Sequence, residues 1–255
     1  DEGEQVRAAI GRVLASSFAE VESHVPVPLV QQAVLQARRD AVDVVVSFGG
    51  GSCADLGKAV CFFLEQEAGM PGATHLDRPA LPHVSIPTTY SGAELTPFFG
   101  MTDPVTRQKQ GAGGPTSAPV VAIYDPELTI STPPRVLAET GMNALAHCVE
   151  AAYSPHRTPE AEAIALPRAC TIHSSLPAVV VDPRNPFARA AMFEGAALAG
   201  RCLLNAGMGV HHGLSQLVGG RTGIPHGLAN AILLTHSIAF NADAVPEEIS
   251  RLSAA

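Results

Sequence analysis

Residues 42–58 read VDVVVSFGGGSCADLGK, and this stretch decides the fold class. Its first seven residues are an almost continuous β-branched run, which is typical of a strand buried on both faces in a parallel sheet. Three glycines follow at once, and helical spacing begins at Ala54. Strand, glycine turn and helix in this order are the context that a phosphate-binding turn requires.

The three glycines at 49–51 let the main chain approach a ligand closely, because no Cβ is in the way. Amides at the start of the next helix favour anionic oxygens. We expect Ser52 to cap that helix and to donate to a phosphate. The spacing is neither GxGxxG nor a Walker A motif, so a tight turn without a ligand is the alternative.

Two more buried strands are predicted, in HVSIPTTYSGAE at 83–94 and in VVAIYD at 120–125. The first ends in a polar turn, whose hydroxyls can bind a cofactor because ligands of open α/β sheets lie at the carboxyl ends of strands. Ordinary turn chemistry explains the same residues. Between the two strands, FFGMTD at 98–103 predicts a short strand, and the Gly-rich segment 103–119 predicts a hairpin tip or a lid.

Helical periods dominate from Pro133 onward, and strand patterns almost stop. Alternating strands and helices followed by helices alone predict two domains. We expect an α/β domain at 1–130 and an all-α domain at 131–255. The predicted helices of the second domain span 134–153, 158–176, 186–205, 208–218 and 226–240.

Composition excludes several classes of protein. Of the 255 residues, 46% are hydrophobic and 16% charged, which indicates a globular chain. The net charge of −8 argues against nucleic acid or an anionic membrane as the main partner. No uninterrupted apolar run has spanning length. Five scattered cysteines without a CxxC pair predict reduced thiols in a cytoplasmic protein.

Two polar pairs in the helical half have the spacing of one helix face. Asn143 and His147 are four residues apart, and so are His212 and Gln216. Such a pair can supply two ligands to a metal ion, and a plain polar helix face has the same spacing. We expect Glu150, on the first of these helices, to be solvated or structural.

The segment 209–227, GVHHGLSQLVGGRTGIPHG, holds three histidines around a glycine-rich turn. Imidazole is the commonest metal ligand and a general acid or base near neutral pH. His212 and His226 can therefore point at one place from two helices. His211 lies beside His212 and must point elsewhere, so we expect it to be structural.

Five motifs in register resemble the iron-containing (group III) alcohol dehydrogenases, and among them the maleylacetate reductase branch most. The motifs are GGGS–x3–LGKA, IPTTYSGAE, YDPELT, GMNALAH–E and HH–L–GG–PHG, and together they span almost the whole chain. The resemblance implies an N-terminal dinucleotide-binding α/β domain and a helical substrate domain. We expect the opening strand and the final helices of that fold to lie outside residues 1–255.

The resemblance also implies NAD(H) or NADP(H) as cofactor, with the pyrophosphate on the glycine turn and the other matched residues near the nicotinamide. The implied cofactor-binding residues are Gly50, Gly51, Ser52, Asp55, Thr88, Thr89, Ser91, Lys109 and Leu128.

In metal-dependent relatives one Asp and three His bind Fe²⁺ or Zn²⁺. Those four positions fall here on Asn143, His147, His212 and His226, and a further His of the family falls on Gln216. Asn143 removes the only anionic ligand, so we expect weaker binding of a divalent cation. Gln216 can donate a hydrogen bond but cannot transfer a proton near neutral pH.

The resemblance implies NAD(P)H-dependent reduction of a small carbonyl or a conjugated keto acid, or the reverse oxidation. His147, His212 and His226 would polarise the substrate carbonyl, directly or through a metal, with Gln216 beside them. A catalytically lapsed cofactor-binding homologue and a non-redox lyase of the dehydroquinate synthase type are the alternatives. We expect a cytoplasmic homodimer that acts on a small molecule and binds neither nucleic acid nor membrane.

Overall fold

The structure is a computed structural model that describes residues 2–69, 81–106 and 108–254. The chain forms two compact units. The first unit ends at Thr88 and resumes over Thr96–Tyr124, and the second comprises Thr89–Leu95 and the residues from Asp125 on. The second unit therefore includes residues that the sequence analysis assigns to the α/β domain, and the boundary at residue 130 stays a prediction.

The first unit holds three helices and five strands among its described residues. They are α1 (Glu2–Ile10), α2 (Val27–Arg39), β1 (Val45–Gly49), α3 (Gly51–Glu67), β2 (His83–Pro87), β3 (Phe98–Thr102), β4 (Lys109–Gly113) and β5 (Val121–Ala122).

Strands β1, β2 and β5 form a parallel sheet in the order β1-β2-β5. Helix α3 packs on the face that carries Ser47 and His83; a Cβ on Gly57 of α3 would lie 2.6 Å from His83 Nε2. The opposite face is more open, and Val46 and Val121 there are 39% and 47% exposed. The prediction that these strands are buried on both faces is therefore wrong for the described residues, among which a helix covers only one face.

The predicted strand at 120–125 is much shorter than expected. Only Val121–Ala122 is strand, although the amides of Val120 and Ile123 also donate to carbonyls of β2, at 2.8 Å each. The short strand predicted at 98–103 is confirmed as β3. The segment 103–119, predicted to be a hairpin tip or a lid, contains the strand β4, which pairs antiparallel with β3.

The core of the first unit lies between α2, α3 and the hairpin. Phe62 and Phe63 of α3 meet Phe99 of β3 edge to face, with ring centroids 5.6 Å and 6.3 Å away. Phe99 is buried and Phe62 and Phe63 are partly buried; full burial of a phenylalanine side chain stabilises a fold by roughly 1.5–3 kcal/mol. This packing fixes α3, and with it the glycine turn at its start.

The second unit is a bundle of helices. They are α4 (Pro134–Tyr153), α5 (Pro159–Val181), α6 (Pro186–Ala206), α7 (Val210–Thr222), α8 (His226–Asn241) and α9 (Pro246–Ala254). Four of the six begin at a proline, whose fixed φ suits the first helical position. Helix α4 is central, because it packs against α5, α6 and α8.

Helix α5 is long and apolar enough to cross a membrane, judged by length and composition alone. Its buried residues pack it against α4 and α6. Arg168 within it pairs with Glu194 of α6 at 2.6 Å. A single helix of this kind is weak support for a membrane span.

Candidate active site

The glycine turn at the end of β1 has the shape that a bound phosphate requires. Gly49 has a φ of +139°, and a Cβ on it would lie 2.5 Å from Cys53 Sγ, so only glycine fits. Gly50 is the N-cap of α3, and no side chain of the described residues caps this helix. The amide of Cys53 already donates to the carbonyl of Gly50 at 2.9 Å. The amides of Gly51 and Ser52 before it can bind an anion, which makes the turn fit the pyrophosphate of a dinucleotide.

The prediction that Ser52 caps α3 is wrong. The helix begins at Gly51, so Ser52 lies inside its first turn rather than before it. Its position is still compatible with a hydroxyl donor to a phosphate.

Asp55 is held by a buried lysine that the sequence analysis did not single out. Lys58 Nζ lies 2.7 Å from Asp55 Oδ1 and donates to the carbonyl of Phe98 at 2.6 Å. Lys58 is fully buried, whereas Asp55 is partly exposed. The ion pair fixes the carboxylate at the start of α3, and a charge inside the apolar run of that helix is the signal that could have revealed it.

The structure brings two more predicted cofactor residues to this region of the first unit. The amide of Thr88, at the end of β2, donates to the carbonyl of Gly49 at 2.9 Å. A Cβ on Gly100 would lie 2.7 Å from Lys109 Cε, and the amide of Gly100 lies 3.5 Å from Asp55 Oδ2. Asp55 and Lys109 therefore both lie next to Gly100.

Thr89, Ser91 and Leu128 belong to the second unit. The segment at 89–95 lies against α4, since the Tyr90 amide donates to Thr140 Oγ1 at 3.2 Å. Leu128 lies in a 3-10 turn at Pro126–Thr129 that packs against α6.

Three histidines of the second unit form a cluster. The rings of His147 and His212 stack with centroids 4.8 Å apart and planes 26° apart. The His226 ring lies 6.1 Å from that of His212. His147 and His212 are buried, and His226 is half-buried at the start of α8. The structure therefore brings together the three rings that the sequence places on three helices.

Burial lowers the pKa of His147 well below its usual value, and the neighbouring imidazoles lower it further. Its ring is therefore neutral at neutral pH. Its Nδ1 atom has no hydrogen-bond partner among the described residues, so it can bind a polar atom of a ligand.

Asn143 lies on the same helix as His147 and is also buried. Its Nδ2 donates to the carbonyl of Ser91 at 3.1 Å. That bond leaves Oδ1 as an acceptor without a partner in the described part of the chain. A carboxylate at this position could not make the bond to Ser91, because it has no N–H.

Of the two roles predicted for Glu150, solvated or structural, burial excludes the solvated one. It is 2% exposed, and its carboxylate accepts a hydrogen bond from His212 Nδ1. Burial acts to raise the pKa of Glu150, but the hydrogen bond and the nearby imidazoles lower it below its usual value. Glu150 follows His147 by three residues, a same-face spacing that could have revealed it.

Two other predicted residues lie beside the cluster, and the ring of His211 meets that of His212 edge to face with centroids 5.2 Å apart. His211 is buried, and its Nδ1 lies 3.3 Å from Ser237 Oγ, in keeping with the expected structural role. Gln216 Nε2 lies 3.5 Å from Met208 Sδ, a weak acceptor. The place of Gln216 in the reaction stays a prediction.

The cluster does not fit a tightly held metal ion. Lone pairs of imidazole lie in the ring plane, so the stacked rings of His147 and His212 do not aim at one point. Asn143 offers an amide oxygen where a hard cation prefers a carboxylate. Within the described residues, no group of three or more His, Cys, Asp or Glu could hold a metal ion.

The sequence matches two family models over most of its length. Residues 3–126 match the model described as iron-containing alcohol dehydrogenase. Residues 137–255 match the C-terminal model of the Fe-containing alcohol dehydrogenase family.

Two relatives show how far the likeness reaches. A maleylacetate reductase from Rhizobium sp. strain MTP-10005 is 36% identical over 253 residues, which are 99% of this chain and 67% of that protein. Its crystal structure matches with a TM-score of 0.86 over the same shares of the two chains. A sulfoacetaldehyde reductase from Bifidobacterium kashiwanohense, solved with NAD⁺, is 28% identical with a TM-score of 0.84, over 94% of this chain and 65% of that one. The chain thus spans about two thirds of the length of these relatives.

Proposed function

This chain belongs to the Fe-containing alcohol dehydrogenase family, and from that premise we propose that the whole protein reduces a small keto acid with NADH or NADPH. Membership confirms the predicted resemblance, the two-domain fold class and the assignment to the oxidoreductases. Use of a nicotinamide cofactor agrees with the relative solved with NAD⁺.

The observation that carries the proposal is the histidine cluster, His147, His212 and His226, with Asn143 beside it. Buried polar atoms without a partner are costly, so a group of them marks a place where a polar ligand binds. Asn143 Oδ1, His147 Nδ1 and His212 Nε2 are such atoms in the described residues.

Residues of the first unit bind and orient the cofactor in this reaction. The glycine turn, Gly49–Gly51, binds and orients the pyrophosphate through main-chain amides, with Ser52 beside them. Asp55, held by Lys58, lies with Thr88 and Lys109 near the nicotinamide. The cofactor, when bound, supplies the hydride.

The histidine cluster acts on the substrate oxygen. His147, His212 and His226 line the substrate site, and a ring that presents an N–H to the carbonyl oxygen polarises it by a hydrogen bond; one of the rings, or a water, supplies the proton to the oxygen after hydride transfer. Asn143 holds Ser91 through its amide, which places the segment with Thr89 and Ser91 against α4. No step here requires a metal ion.

A keto acid is favoured over a simple alcohol for two reasons. The cluster has an amide at position 143 where a carboxylate would hold a metal and repel an acidic substrate. The Rhizobium relative is a maleylacetate reductase by name. A cytoplasmic location without a nucleic-acid or membrane partner is also our proposal, based on composition. The homodimer is proposed from the family resemblance.

The experiment is a spectrophotometric assay of the purified full-length protein. NADH and NADPH are each offered with maleylacetate and, as controls, with small aldehydes. We expect consumption of reduced nicotinamide with the keto acid, at a rate unchanged by chelator. Cofactor binding without turnover of any substrate would instead identify a lapsed homologue, for which Asn143 and Gln216 are the support.

A further inference from the structure

Glu150 is a buried carboxylate in the last turn of α4, with only 2% of its surface exposed. A carboxylate in such a place must be paired and hydrogen-bonded, because burial of an unpaired charge is very costly. Its partners all come from the first turn of α7. These partners therefore indicate the role of the Glu150 carboxylate.

The two carboxylate oxygens divide three donors between them. Oε1 accepts from the main-chain amide of His211 at 3.0 Å. Oε2 faces the amide of His212 at 3.4 Å and also accepts from the Nδ1 of the same residue. Glu150 thus caps the start of α7 and binds one side chain within it.

Gly209 makes room for this arrangement. It is the N-cap of α7, and a Cβ there would lie 2.5 Å from Glu150 Oε1. Its φ is −103°, which any residue adopts, so the main chain does not require glycine. Glycine is required at position 209 because the Glu150 carboxylate lies so close to it.

We propose that Glu150 is a positioning residue that fixes the tautomer and the ring direction of His212. A carboxylate only accepts, so His212 must carry its hydrogen on Nδ1. His212 Nε2 is then left as an acceptor, and it has no hydrogen-bond partner in the described segments. It belongs to the ring that stacks on His147 and lies 6.1 Å from His226. The inference deepens the proposed function and rests on it for the kinetic effect alone.

A cap alone would not need this geometry. The amides of His211 and His212 would be satisfied equally by a Ser or Asp at the N-cap. Placing the acceptor on another helix adds the contact to the imidazole, which selects one tautomer.

The test is the isosteric substitution Glu150→Gln in the full chain. The Gln side chain keeps one acceptor for the α7 amides and turns an N–H toward His212 Nδ1, which must then accept. We expect the His212 ring to lose its uniform Nδ1–H tautomer, seen in the nitrogen-15 shifts of histidine-labelled protein and assigned by their loss in His212→Ala. We expect kcat to fall at least tenfold, with the KM for NADH within about twofold.

Glu65→Gln is the matched control. Glu65 is also a buried carboxylate on a helix, and it accepts from the hydroxyl of Thr116 rather than from a histidine. We expect it to lower stability without moving kcat or the His212 signals. Gly209→Ala gives a second route, because it displaces the carboxylate without removing it, and we expect the same direction of change.

A His212 ring that keeps the wild-type tautomer in Glu150→Gln overturns the proposal, whatever happens to activity. The tautomer is read without turnover. If no substrate is ever consumed, the proposed function fails while the inference about Glu150 is still decided.

Discussion

The glycine turn of the first unit and the histidine cluster of the second build their sites from different atoms. The turn uses main-chain amides, and its one strict requirement is that Gly49 carry no Cβ. The cluster uses side chains, and its ring directions depend on partners such as Glu150. A site made of main-chain amides is encoded by consecutive residues. A site made of side chains depends on how helices that are far apart in the sequence pack together.

The two sites should therefore fail in different ways. A change that adds bulk should damage the turn, whatever the chemistry of the new side chain. A change that removes a donor or acceptor should damage the cluster even when the volume is kept. Four predictions follow this contrast from the largest expected effect to the smallest.

Removing an imidazole should have the largest effect. We expect His212→Ala to lower kcat by about 10²–10³-fold, because general acid–base groups contribute roughly that much. The KM for NADH should stay within about threefold, since the glycine turn is untouched. Initial rates of NADH oxidation with maleylacetate measure both. His173→Ala, an exposed histidine on α5, is the control, and an equal loss there would contradict the assignment.

His83 is buried, and no carboxylate partner is seen for it among the described residues, in contrast to His212. We expect it to make the stability of the fold depend on pH. Burial, and secondly Lys58, lower the pKa of His83 from 6.5 to about 4. The folded state then binds fewer protons than the unfolded state, so stability is full above pH 6.5 and falls as the pH drops toward 4. We expect His83 to account for a loss of about 2–3 kcal/mol across that window, measured by urea unfolding.

His83→Gln provides the comparison for that measurement. Glutamine can still hydrogen-bond Ser47, which lies 2.8 Å from His83 Nε2, but it does not titrate. The decline in unfolding free energy between neutral and acidic pH should be smaller in this variant. An unchanged decline would show that other groups cause it.

A single methyl group should distinguish the turn from the cluster. We expect Gly49→Ala to raise the KM for NADH about tenfold, because the new Cβ meets Cys53 Sγ and the φ of +139° is strained for alanine. The kcat should change less. Gly114→Ala is the control, since its Cβ would meet nothing within 4 Å at an extended φ. Equal KM values for the two variants would break the comparison.

Metal removal should have the smallest effect. We expect chelation to change kcat by less than about twofold, since the cluster lacks an anionic ligand. Asn143→Asp should increase the metal that co-purifies, measured by elemental analysis, while it weakens the hold on Ser91. Asn205→Asp is matched, because that amide also donates to a carbonyl, at 3.0 Å, outside the cluster. Complete loss of wild-type activity on chelation would refute this prediction.

The sequence predicted the first site better than the second. Gly49–Gly51 follow a β-branched run and precede a helix, and each of these is a local signal. Asn143, His147 and His212 were found as polar pairs on helix faces, but their spacing alone left an ordinary polar face equally compatible. The part played by Glu150 was missed, because a glutamate near a helix end is usually solvated.

The sequence by itself determined the family and most of the order of strands and helices, and it predicted residues that can bind a cofactor, because these depend on local periodicity and on contiguous motifs. Only the tertiary structure decided that α3 covers one face of the sheet, that Ser52 lies inside its helix, and that Glu150 holds His212. These depend on contacts between residues far apart in the chain. The physical reason is that burial and hydrogen bonding are set by which elements pack together, and a side chain takes its role from those neighbours.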